Sequence, residues 1–86
     1  MRLNVHCSRD ARGDEIPVRL DFDDRTVLVA EILDRWPGQA YCYFKIRGED
    51  GSLYVIRHNE EHGTWELTLF QRVASPVLDT ARPGRV

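Results

Sequence analysis

The sequence predicts an all-β domain: five or six short strands forming a small antiparallel barrel or a strongly bent sheet. Three observations carry this. Apolar and polar residues alternate with period two in several stretches of six to eight residues. Turn signals separate those stretches at close spacing, among them Gly13-Asp14, Pro37-Gly38 and Asp50-Gly51. The stretch from Glu31 to Leu69 reads as three or four strands separated by turn signals, with aromatic and basic residues interleaved on them.

Taken in order, residues 2–7 place Leu3, Val5 and Cys7 on one face of a first strand. The polar run Ser8-Arg9-Asp10-Ala11-Arg12-Gly13-Asp14 then turns the chain. Residues 15–22 put Ile16, Val18, Leu20 and Phe22 on one face and Pro17, Arg19 and Asp21 on the other. Pro17 cannot donate to a ladder, which assigns it to a strand start or a sheet edge. After the Asp23-Asp24-Arg25 turn, residues 26–36 admit two readings. Ala30-Glu31-Ile32-Leu33 has helix formers, but the Thr26-Val27-Leu28-Val29 start is β-branched and follows a short turn. A long strand bent near Ala30–Glu31 is the better reading. Tyr41–Arg47 and Ser52–His58 form a hairpin around the Asp-Gly turn. Asn59–Gly63 is a loop, and Thr64–Gln71 is a last strand with Trp65, Leu67 and Leu69 on one face. Residues 1–73 therefore form one small barrel of SH3-like or OB-like size, and closure would remove its exposed edges. Residues 74–86, with two prolines and no period, read as a flexible tail.

With 86 residues the chain holds one domain, and its 42% apolar and 30% charged content is that of an ordinary globular protein. The net charge of -2 excludes a polycation that binds nucleic acid through bulk charge, but not a local basic patch. No apolar run is long enough to span a membrane, so no membrane partner is expected. The N-terminus lacks an apolar leader core, and Cys7 and Cys42 belong to no CxxC pair. The expectation is a reducing cytoplasm and two free thiols, with Cys42 a small core residue.

The candidate binding surface is an aromatic and basic sheet face made of Trp36, Tyr41, Tyr43, Lys45, Arg47, Tyr54 and Arg57. Tyr41, Tyr43, Lys45 and Arg47 alternate along one strand and point the same way. Rings flanked by cations suit a protein partner, and equally single-stranded nucleic acid, whose bases stack on rings while cations meet phosphates. The plainer alternative is that these residues only stabilise cross-strand pairing. Two histidines, His58 and His62, flank Asn59-Glu60-Glu61, but without evident further ligands they read as solvated turn residues rather than a metal site. Asp21, Asp23, Asp24, Glu31 and Asp34 read as turn formers and solvent-facing strand residues, with no catalytic pairing. The aromatics Phe22, Trp36, Phe44, Trp65 and Phe70 are also candidates for a cation cage. A chain this small needs large side chains for its core, which favours core roles for Phe44, Trp65 and Trp36. No nucleophile elbow, catalytic triad or phosphate loop is present, so neither an enzyme nor a cofactor is expected.

The motifs Leu33-Asp34-Arg35-Trp36, Tyr43-Phe44-Lys45-Ile46-Arg47, Gly51-Ser52-Leu53-Tyr54 and Trp65-Glu66-Leu67 cover about the middle half of the chain. This pattern resembles that of small bacterial β-barrel domains, and is similar to segments near the C-terminus of proteins that look like error-prone Y-family DNA polymerases. The resemblance implies a small barrel with no assigned chemistry, and it transfers no catalytic residue. The residues themselves point to a non-catalytic interaction or regulatory module that binds a protein partner through the aromatic/basic face. Single-stranded nucleic acid binding on the same face is the alternative, and a link to DNA repair is what the resemblance implies for it.

Overall fold

A computed structural model describes residues 2–72. Six antiparallel strands follow one another around a closed barrel, each paired with its sequence neighbours and the last with the first. They are β1 (Arg2–Arg9), β2 (Glu15–Asp21), β3 (Thr26–Pro37), β4 (Tyr41–Gly48), β5 (Leu53–Asn59) and β6 (Thr64–Gln71). The expected flexible tail, residues 74–86, lies outside the described residues.

Each hairpin is closed by the chemistry its turn residues bring. In the β1–β2 turn the Asp10 carboxylate accepts from the Arg12 and Asp14 amides, both at 2.9 Å. In the β4–β5 turn Gly51 takes φ +85°, where a side chain would be strained, and its amide bonds the Gly48 carbonyl at 2.9 Å. Asn59 organises the β5–β6 turn, its side-chain oxygen accepting from the Glu61 and His62 amides at 3.0 Å each.

The barrel interior is filled by Leu3, Leu20, Val27, Phe44, Ile46, Tyr54 and Ile56, with Pro17 also fully buried. Tyr54 carries the largest of the fully buried side chains. Its hydroxyl donates to Asp50 Oδ2 at 2.6 Å, which satisfies the one polar atom it brings into the core. Val5, Phe22, Val29, Ile32, Cys42, Trp65 and Leu67 pack around this centre, half-buried.

The strands bend where an extra residue enters the ladder. β3 pairs Val29 with Gly48 and Glu31 with Arg47, then Ile32 with Ile46 and Asp34 with Lys45, so Ala30 and Leu33 are bulged out. This is the bend expected near Ala30–Glu31, and it lets one strand serve both β2 and β4.

Two other bulges overturn expected faces. His6 pairs with Arg19 and Cys7 with Pro17, which leaves Val18 as the extra residue, 38% exposed. Ile16, Val18 and Leu20 therefore do not share a face. Pro17 is buried instead, its missing N–H falling at the ladder irregularity. In β6, Ile56 pairs with Leu67 and Val55 with Leu69, so Thr68 is the extra residue. Leu69 is turned outward, 54% exposed, and Phe70 packs at 5.1 Å on the Tyr54 ring.

Candidate interaction face and its neighbouring cleft

The β4–β5 register fixes the outer surface. Tyr43 lies opposite Arg57, Lys45 opposite Val55, and Arg47 opposite Leu53. On the other flank Trp36 lies opposite Tyr43, Asp34 opposite Lys45, and Glu31 opposite Arg47. Six of the seven expected residues, Trp36, Tyr41, Tyr43, Lys45, Arg47 and Arg57, thus lie side by side on β3, β4 and β5.

Tyr54 does not join them. It sits one residue out of phase with Leu53 and Val55, points into the barrel and is 0% exposed. A second correction concerns Trp36. It is 36% exposed and outside the core cluster, so of the three expected core aromatics only Phe44 and Trp65 line the interior. Trp36 sits near the end of β3, beyond both bulges, where the strand has β4 on one side but among the described residues no pairing with β2.

The aromatic side chains on this face form a connected stack. Trp36 and Tyr43 lie parallel, with centroids 5.4 Å apart and planes 1° apart. Tyr41 follows at 6.1 Å, tilted by 47°. The Arg57 guanidinium lies 4.2 Å from the Tyr41 centroid, in cation–π geometry.

The charges are paired as closely as the rings. Arg57 donates to Glu66 on β6 at 2.8 Å from Nε and 2.7 Å from NH2. The Tyr43 hydroxyl and the Glu66 carboxylate beside it hold the Arg57 guanidinium more firmly in its charged form. Arg47 pairs with Glu31 on β3. Lys45 faces Asp34 in register, and among the described residues no carboxylate lies within ion-pair distance of it. Sequence reasoning missed Glu31 and Glu66 as parts of this face. The Asp-Gly turn sets the β4–β5 register, but the β3 and β6 registers depend on bulges that no local signal announces.

Around the end of β3 the face meets a cleft of about 580 Å³. Among the described residues β1 pairs with β6 only at Arg2–Glu66 and Leu3–Trp65, and β2 pairs with β3 only over Arg19–Asp21. The rest of the β1–β2 hairpin pairs only with itself, as a two-stranded ribbon, and its Asp14 and Glu15 form one wall of the cleft. Phe44 and Trp65 line it with ring centroids 5.7 Å apart, and His58 stacks on Trp65 at 4.4 Å. His58 is therefore a half-buried stacked residue rather than a solvated one, whereas His62 is exposed.

Burial raises the Cys42 thiol above its usual range, with the nearby Glu60 adding to the effect and Arg35 opposing it. Cys7 is raised the same way, by burial and then by Glu15. Both cysteines are free. Among the described residues no group of three or more His, Cys, Asp or Glu side chains is arranged to hold a metal ion, and no helix is long and apolar enough to cross a membrane. Comparison with protein families, curated proteins and solved structures finds no match to the chain.

Proposed function

We propose that the protein is a non-catalytic interaction module that binds a protein partner through the outer face of β3, β4 and β5. One observation carries this reading: the two arginines of the face are neutralised by carboxylates on neighbouring strands, Arg57 by Glu66 and Arg47 by Glu31. Nucleic acid binding draws its affinity from cations that replace the counterions of phosphate, and a paired arginine is a poor source of it. Base stacking also needs free ring faces, while here Trp36 covers Tyr43 and Arg57 covers Tyr41. Trp, Tyr and Arg with matched charges are instead the composition of protein interfaces and of their energetic centres. The half-buried Leu53 and Val55 and the exposed Leu69 extend the patch with apolar surface.

The second reading is single-stranded nucleic acid bound on the same face. It is favoured by Lys45, which has no ion-pair partner among the described residues. Two free thiols fit a cytoplasmic setting for either role.

The test is a photo-crosslinking amino acid at Lys45 in the cells that make the protein, with the same group at Val18 as a control. The expected result is a discrete protein adduct from position 45 only. Tyr43→Ala is expected to abolish it while far-UV circular dichroism stays native, because loss of a central aromatic weakens a protein interface by about 2 kcal/mol or more. Adducts that are equal from both positions, or unchanged by Tyr43→Ala, would refute the reading.

A further inference from the structure

The cleft at the end of the β1–β2 ribbon borders the outer face through Trp36 and has a chemistry of its own. Its floor is aromatic, formed by Phe44 and Trp65, and the face of an aromatic ring is its electronegative part. Its walls carry Asp14 and Glu15 from the ribbon and Glu60 from the β5–β6 turn, against a single arginine, Arg35. Three carboxylates facing one guanidinium leave the cleft negative. The influence of Glu60 reaches the Cys42 thiol inside the cleft, and that of Glu15 reaches Cys7.

Arg35 shows how the cleft receives a cation. Its guanidinium lies 3.5 Å from Asp14 and 6.0 Å from the centroid of the Phe44 ring. One carboxylate and one ring are thereby engaged. Trp65 keeps His58 on one side, and neither Glu15 nor Glu60 has a basic side chain within ion-pair distance among the described residues. The groups left over are thus an aromatic wall and two carboxylates. A volume of about 580 Å³ lies within the range of small-molecule sites. The Arg35–Asp14 pair also bridges the ribbon and β3.

We infer that this cleft is a binding site for a small organic cation, an ammonium group carried on a compact apolar body. The apolar body rests against the half-buried Trp65, and the ammonium is held between Glu15 and Glu60. Anions are excluded by the same carboxylates.

The experiment is an amide and indole shift titration of the ¹⁵N-labelled chain with 2-phenylethylamine, its neutral counterpart 2-phenylethanol, and the anion 3-phenylpropanoate. The amine is expected to give saturable shifts at Cys42, Phe44, His58 and the Trp65 indole, and the alcohol and the anion are not. Glu60→Gln is expected to weaken amine binding about two- to fivefold, the size of one partly exposed ion pair. Glu61→Gln, on the same turn but outside the cleft, is expected to leave binding unchanged and controls for any effect on folding. Equal binding of the alcohol, binding of the anion, or no saturable shift with the amine would overturn the inference. So would shifts produced by a short arginine-bearing peptide where the free amine gives none, which would assign the cleft to a protein partner.

Discussion

Replacing Tyr54 with Phe removes one oxygen atom at the β4–β5 turn end of the barrel and leaves every ring contact in place. The lost bond is short, 2.6 Å from the phenol to Asp50 Oδ2. Hydrogen bonds to charged groups contribute about 1.5–3 kcal/mol net. Asp50 retains the Ser52 amide at 3.0 Å and Arg25 at 3.9 Å, and its side chain reaches solvent, so the lower end applies, about 1.5 kcal/mol. With a urea dependence of about 1 kcal/mol per molar for a chain this small, the unfolding midpoint falls by about 1.5 M. The same bond has a signature in alkali. Burial, then the bond to Asp50 and its charge, push the Tyr54 phenol up to about 12 from the ordinary 10.0. Folding thus favours the protonated phenol. Its contribution is complete below pH 10 and is lost as pH rises from about 10 to about 12, a difference of about 2–3 kcal/mol. Urea unfolding of both proteins at neutral pH and across pH 9.5–11.5 reads this directly. The wild-type advantage is expected to shrink as pH rises. Equal stability at neutral pH, or two alkaline curves that run parallel, would refute the buried phenol–carboxylate bond.

The turns and thiols give further tests. A methyl group at Gly48 would stand 2.6 Å from both Val27 Cγ1 and Asp50 Oδ1 and 3.1 Å from Tyr54 Cε1, so Gly48→Ala is expected to lose about 1–3 kcal/mol in urea unfolding. Ala40 holds a φ of +63° in the β3–β4 turn, and Ala40→Gly is expected to raise the thermal midpoint by relieving about 1 kcal/mol of left-handed strain. Cys7 and Cys42, both raised by burial, are expected to react with iodoacetamide at neutral pH well below the rate of a free cysteine, and to reach that rate in urea.

Strand existence and hairpin order are legible in the sequence because alternation and Gly/Asp turns report local geometry. The side each residue faces is less so. In Leu53-Tyr54-Val55-Ile56-Arg57 both alternating sets are largely apolar, so periodicity alone does not say that Tyr54 and Ile56 point inward. Tyr54 therefore looks like a companion of Tyr43, and only the paired register separates them. The bulges at Val18 and Thr68 have the same effect, since one extra residue flips the face of every later residue in the strand. The aromatic and basic composition of the candidate face is visible in Tyr41–Arg47. Its neutralisation by Glu31 and Glu66 is not, because those partners lie 16 and 9 residues away from their arginines.

The most direct measurement is an amide-shift titration of the labelled protein with short mixed-sequence single-stranded DNA and RNA, at low and at near-physiological salt. If the face is charge-balanced and its rings are stacked on one another, any shifts at low salt are diffuse and vanish as salt is added. Saturable shifts confined to Tyr41–Arg47 and Leu53–His58 that persist at near-physiological salt would contradict that, and would make single-stranded nucleic acid the ligand of this face.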